Sequence, residues 1–241
     1  MLSIFLTESH IILAHEEIAT RTHEIPILQQ LLTESGLSGY VFTADALHCQ
    51  EKTLQIARES HNAVMVQVKD NQPTLLKDCQ CISKETIPDT SYQEPCSRIR
   101  NRIEQRRVDV FHFPKLTHPH KWQAVQAVIK VERCRRVFDP KTKSWKDSDE
   151  TCFYSATLVL DAQDYAHAIR KQWGIENRNH YVRDVTLGED KSRIRTNPHT
   201  MAKLRSFALN ILRKNTVDNG SQELFNNCMN IDNVLKYVGV L

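Results

Sequence analysis

Carboxylates raise the first chemical question. The stretch VFTADALHCQ (41–50) reads as a buried strand built on Val41, Phe42 and Thr43, and it ends on Asp45. An acid at that place serves as a helix cap, a salt-bridge partner or a metal ligand. Glu176 stands in QWGIEN, inside an amphipathic helix and close behind Trp173. Burying it there is costly unless Arg170, Arg178 or Arg183 neutralises it. Asp184, Glu189 and Asp190 form a third acidic group in RDVTLGEDKSRIR, with Arg193 and Arg195 in reach as partners. Residue chemistry alone favours a structural role at each acid. Two hard carboxylates brought together would suit Mg²⁺ or Mn²⁺. Phosphate-cradling glycine loops, nucleophile elbows and HExxH are all absent from the sequence. The 11 histidines are dispersed and read as surface or structural groups.

These acids need elements to hold them. Apolar runs at 2–7 and 11–19 flank ESH and predict a hairpin. Ile27, Leu28, Leu31 and Leu32 predict a helix over 24–35, broken by Gly36 and Gly39. A strand over 40–45, a helix over 50–60 with Leu54 and Ala57 inward, a strand over 63–68 and a short helix after Pro73 follow. The first 85 residues thus predict an α/β arrangement around a mixed sheet. Residues 86–96 read as a loop. Residues 124–138 and 151–159 read as strands of a second β segment, joined by DPKTKSWKDSDE (139–150) as a polar turn. Asp161 in DAQD is the N-cap of a helical tail, with Ala162, Tyr165, Ile169 and Trp173 along one stripe. A second amphipathic helix over 199–214 presents Met201, Leu204, Phe207, Ala208, Ile211 and Leu212 as its apolar face and ends on Arg213 and Lys214. The weakly apolar C-terminal stretch is expected to pack loosely.

Composition sets outer bounds. A chain of 241 residues holds one large domain, or one domain with an insertion. Hydrophobic content of 40% and charged content of 25% fit a globular protein, and a net charge of +3 is too mild to argue for nucleic acid by itself. The charge is local instead. RIRNRIEQRR (98–107) sets Arg98, Arg100, Arg102, Arg106 and Arg107 against Glu104 alone. The span 130–146 has seven basic residues and two acidic ones. Such runs are either a solvated face or a phosphate-contacting surface. Seven cysteines without a CxxC pair read as free thiols in a reducing cytosol. No apolar run reaches the roughly 18–20 residues of a membrane span, and MLSIFLTESH lacks the basic start of a signal peptide.

Taken in order, VFTADALHCQEKTLQIARE (41–59), VKDNQPTL (68–75) and QWGIENRNHYVRDVTLGEDKSRIR (172–195) resemble one family, the H-repeat-associated insertion-sequence transposases. HEIPILQQLL (23–32), RNRIEQRRV (100–108) and MAKLRSFALNILR (201–213) extend the resemblance over nearly the whole chain. These are DDE-class enzymes with an RNase H-like fold. The resemblance implies an α/β RNase H-like mixed sheet with an inserted β segment and a C-terminal helical region. It divides the chain into a partial core (1–85), a basic β insert (86–160) and helices that complete the core (161–241). It implies metal-dependent DNA strand cleavage and transfer, with three acids holding two divalent ions, Mg²⁺ or Mn²⁺. Asp45 matches the second acid. Glu176 matches the third, with Asp184, Glu189 and Asp190 as alternatives in the same motif. Trp173 and Asn177 match positions that shape the site. Arg178, Arg183, Arg193 and Arg195, with Arg102 and Arg106 of the basic run, match candidates for DNA phosphate contacts. The implied partners are double-stranded DNA at the element's ends and a second copy or a full-length transposase, with no membrane. The implied place is a bacterial cytoplasm, at the nucleoid.

One departure matters. The family's first acid lies on its first strand, in a segment resembling DGK, and no DGK occurs in this sequence. The hairpin at 2–19 maps to the family's second and third strands. The sequence is therefore expected to lack the first strand and the first catalytic aspartate, as in a truncated, frameshifted or split copy. Glu8, at a hairpin turn, is a poor substitute. A marginal fold with exposed strand edges and a broken metal site would follow. Two readings stand: a transposase that is active when the first strand is supplied, and a non-catalytic remnant that binds only DNA or full-length transposase.

Overall fold

The computed structural model describes residues 2–16, 24–175, 181–217 and 219–238. The chain forms two compact units, one of Met1–Ile27 with Lys171–Leu241 and one of Leu28–Arg170.

The Leu28–Arg170 unit is built on a seven-stranded mixed sheet. Strand β3 (Val41–Ala44) runs parallel to β4 (Ala63–Val68). The remaining strands are β5 (Thr90–Gln93), β6 (Ser97–Ile99), β7 (Arg102–His112), β8 (Ala127–Asp139) and β9 (Ser144–Ala156). The order is β3-β4-β9-β8-β7-β5, with β6 on β7, and all pairings beyond β4 are antiparallel. The expected α/β mixed sheet is therefore present. β4 is a run of branched and apolar residues because both its faces are covered: Val64, Met65 and Val66 are fully buried. One face takes α4 (Ala162–Ile175), whose Ala162, Tyr165, Ala166 and Ile169 pack on Met65, Val110, Ile129, Val131, Tyr154 and Ala156. The Tyr165 hydroxyl is satisfied by the Leu158 carbonyl at 2.6 Å. The Ala162 amide at the start of α4 donates to Thr90 Oγ1 at 3.2 Å, so β5 caps the helix through a side chain. α2 (Glu51–Glu59) packs on β4 and buries Leu54 and Ala57. α3 (Pro73–Glu85) packs on β8 and buries Leu75 and Cys79. α1 (Glu24–Glu34) precedes β3, and Gly36 and Gly39 follow it at φ 67° and 79°, the left-handed backbone that stops a helix.

Three expectations need correction here. Residues 139–150 are not one polar turn: β9 already begins at Ser144, so only 140–143 connect a long hairpin. Residues 144–150 are exposed on both sides and so carry no apolar alternation to read. The loop over 86–96 contains β5, and the short helix after Pro73 runs for 13 residues.

In the other unit, β1 (Leu2–Leu6) and β2 (Ile11–Glu16) form a two-stranded antiparallel sheet with a bulge at Ile4/Phe5. The hairpin is a sheet of its own. β2 packs on α5 (Pro198–Lys214). Asn210 acts as a surrogate strand, accepting from the Ile12 amide at 2.9 Å and donating to the Ile12 carbonyl at 2.7 Å. Arg213 donates to the His10 carbonyl and lies 5.4 Å from the Phe5 ring centre, and burial lowers its pKa to about 10. Lys171 pairs with Glu8 at the hairpin turn. The buried face of α5 is thus Ala202, Ser206, Leu209 and Leu212, whereas Leu204 and Phe207, expected inward, are exposed. The polar hold on the hairpin turns the helix away from its strongest apolar stripe. α6 (Gly220–Met229) and α7 (Asp232–Leu235) bury no residue, in line with the loose C-terminal packing expected.

Two measurements check this packing. Leu209→Ala should destabilise by about 2–4 kcal/mol in urea unfolding, and Leu204→Ala should stay within about 0.5 kcal/mol. Equal effects would contradict the orientation of α5. All seven cysteines are free, and burial pushes the Cys49 and Cys79 thiols to about 11 and about 12. Iodoacetamide at pH 8 should therefore label exposed Cys81, Cys96 and Cys228 first and reach Cys49 and Cys79 only after denaturant is added.

Candidate functional site

Asp45 lies where β3 ends, at the carboxyl end of the parallel β3–β4 pair. In open α/β sheets this is the end at which ligands gather. Its backbone is extended (φ −72°, ψ 168°), and its Oδ1 accepts from the Ala46 amide at 2.6 Å. It thereby caps the short 3₁₀ turn Ala46–His48. Lys69, the residue after β4, brings its Nζ to 3.7 Å from the same oxygen. The Asp45 side chain is 70% exposed, so this pair is weak and the carboxylate keeps its access to solvent.

The loop that carries Lys69 is tied to the loop that carries Asp45. Asn71 Nδ2 donates to the Ala46 carbonyl at 2.6 Å, and Gln72 Nε2 donates to the Cys49 carbonyl at 2.8 Å. Two carboxamides thus fix the β3 and β4 ends against each other. The sequence signal was the KDNQ of VKDNQPTL, where two adjacent amide side chains precede the Pro73 start of α3.

Asp45, Arg102 and Arg106 belong to the Leu28–Arg170 unit. Glu176, Asn177 and Arg178 lie outside the described residues, as does the side chain of Trp173. In the other unit, Arg183 is buried and holds Glu189 with two bonds of 2.8 and 2.7 Å. That engagement occupies the guanidinium and ties down Glu189, which was one of the alternative acids. Arg193 and Arg195 are exposed. Among the described residues no group of three His, Cys, Asp or Glu side chains is arranged to hold a metal ion. Asp45 offers hard oxygen donors of the right kind, but one carboxylate beside a lysine is not a metal centre.

Arg102 and Arg106 stand two residues either side of Glu104 on β7, and both pair with it, Arg106 at 2.7 Å. Glu104 is 6% exposed and also draws Arg135 from β8, to 3.8 Å. Burial first, then the neighbouring arginines, lower the pKa of Arg102, and burial and Arg170 lower that of Arg106. Close by, Arg170 of α4 forks onto buried Glu94, which raises the Arg170 pKa. Glu94 carried no signal in the sequence, because the arginine that neutralises it is 76 residues away.

Comparison with known proteins gives this arrangement its family. The chain is 26% identical over 237 residues to "Putative transposase YncI" of Escherichia coli O157:H7, covering 88% of this chain and 56% of that protein. It is 23% identical over 225 residues to "H repeat-associated putative transposase YhhI" of Escherichia coli (strain K12), covering 90% and 59%. "Putative protein YbfL" of the same strain matches to the same extent. The chain thus spans between 56% and 59% of the length of these relatives. Residues 1–211 match the family model described as the Transposase DDE domain, and the chain belongs to that family.

Proposed function

We propose that this chain is part of an insertion-sequence transposase that acts on double-stranded DNA, with Asp45 as one of its metal-ligating carboxylates. The observation that carries the reading is the placement of Asp45: an exposed carboxylate at the carboxyl end of a parallel strand, in a chain of the DDE family. Membership of that family implies a divalent metal ion. Asp45 would help to hold such an ion, Mg²⁺ or Mn²⁺, which when bound would supply Lewis-acid chemistry at the phosphoryl group. Asp45 is held in place by the Ala46 amide, and Lys69 beside it puts a cation where a DNA phosphate would approach. Glu176 is the proposed companion acid by its motif, with Asp184 and Asp190 behind it. Glu189 is the weaker alternative because Arg183 already binds both its oxygens. Arg193 and Arg195 are proposed phosphate contacts on the strength of their exposure, and Arg178 by its motif. A bacterial cytoplasm, with the protein at the nucleoid, is the place that fits such a substrate.

A second reading is a catalytically impaired chain that binds DNA, a second copy or a full-length transposase without cutting. It is favoured by the partner that Asp45 takes, the cation Lys69, which competes with a metal ion for the carboxylate.

Purified chain, given duplexes that carry the element's ends, separates the two. The active reading expects cleavage that needs Mg²⁺ or Mn²⁺ and falls about a hundredfold or more in Asp45→Asn. Asparagine also caps, so that variant should stay within about 1 kcal/mol of wild-type stability. DNA binding without cleavage identifies the impaired reading. Failure to bind or cut any duplex overturns both.

A further inference from the structure

Strands β7, β8 and β9 extend past the end of the core as a long ribbon whose two faces differ in charge. The unbroken register puts Arg102, Glu104 and Arg106 of β7, Arg133 and Arg135 of β8, and Lys146 and Glu150 of β9 on one face. This face continues the one whose inner part α4 covers, since Val108, Val131, Cys152 and Tyr154 are its next residues. The ion pairs agree with the register. Arg102, Arg106 and Arg135 meet on Glu104, Arg133 pairs with Glu150, and Lys146 pairs with Asp139. On the opposite face Arg107 pairs with Asp109, Lys130 with Glu132 and Arg136 with Asp147, one cation to one acid.

The first face is the one out of balance. Four guanidiniums, those of Arg102, Arg106, Arg133 and Arg135, share two carboxylates, Glu104 and Glu150. Among the described residues, the buried Nε of Arg135 has no hydrogen-bond acceptor. Burial first, and then repulsion from Arg135, Arg133 and Arg106, lowers the pKa of Arg102. A surface in which planar donors outnumber acceptors is completed by an anion with several oxygens, and phosphate matches guanidinium in bidentate geometry.

We propose that this face of the ribbon grips the DNA backbone, with Arg102, Arg106, Arg133 and Arg135 as phosphate contacts and Glu104 as the residue that positions three of them. The inference rests on the transposase reading above and adds where on the chain the backbone lies. Glu104 gathers the guanidiniums when the chain folds, so less side-chain freedom is lost when DNA arrives. Arg107 and Arg136 lie as close in sequence and are as basic, yet they face the other way and take no part.

Full-length chain and a labelled duplex, followed by fluorescence anisotropy through a KCl titration, test this. The double variant R102A/R133A should lower affinity about tenfold or more and flatten the dependence of log K on log salt by about two. The variant R107A/R136A removes the same charge from the other face and should change affinity less than about threefold. The single variant R102A perturbs packing least and should flatten the slope by about one on its own. Equal losses from the two faces overturn the proposal. So does wild-type affinity in R102A and R102A/R133A, which leaves the transposase reading standing. A wild-type chain that binds no duplex overturns both.

Discussion

The seam between β4 and β9 holds the larger unit together. β3 and β4 are a parallel pair of short strands, and β5 to β9 are an antiparallel array. Among the described strands, the pairing that joins them is Met65–Val68 against Phe153–Ala156. Thr157 locks the end of the seam: its Oγ1 accepts from the Val64 amide at 2.9 Å, and its own amide donates to the Val64 carbonyl at 3.0 Å. A slip of one residue would turn Val64 and Val66 to the face now filled by α4 and Met65 away from it. The partners are 93 residues apart, so the seam closes a long loop and is expected to form after the local hairpins. Both candidate functions hang from it. Asp45 is aimed by β3, which has β4 as its strand neighbour, and the arginine face of the ribbon is fixed by the inner half of β9.

What the sequence made legible follows from burial. α2, β4 and the stripe of α4 were readable because each has a one-sided or continuous apolar pattern that the core then uses; β3, expected to be buried, is an edge strand that leaves Val41 exposed and buries none of its residues. The outer half of β9 was not, because WKDSDE is wetted on both sides and reads as a turn. The face of α5 was misread for a related reason. Its partner is a hairpin edge that needs hydrogen bonds, so Asn210 and Arg213 turn toward it and Leu204 and Phe207 turn away. Hydrophobic periodicity assumes an apolar partner, and here the partner is a strand's unpaired backbone.

The site divides in the same way. The sequence left Asp45 as a cap, an ion-pair partner or a ligand. The structure shows the first two together, and neither uses up a carboxylate that is 70% exposed. Its support by Asn71 and Gln72 was hidden because amide side chains carry no pattern. Glu104 was visible as the lone acid in RIRNRIEQRR, but the sequence counted every arginine of the run against it. Strand alternation removes Arg107 to the other face and brings in Arg135 from β8, which no local reading could supply.

The ion pairs on the ribbon are better understood as geometry than as stability. Arg133–Glu150, Arg136–Asp147 and Lys146–Asp139 are exposed, and such pairs contribute about 0–1 kcal/mol each. Glu104 differs because it is nearly buried and shared by three arginines. Removing one arginine leaves the acid two partners. Removing the acid leaves three cations in mutual repulsion on adjacent strands, so the network is far less tolerant of losing its anion than of losing a cation. A second acid in place of one arginine would balance the charge and abolish the excess that an outside anion can meet. One carboxylate per cluster is thus the number that holds the strands together while keeping the face attractive to phosphate.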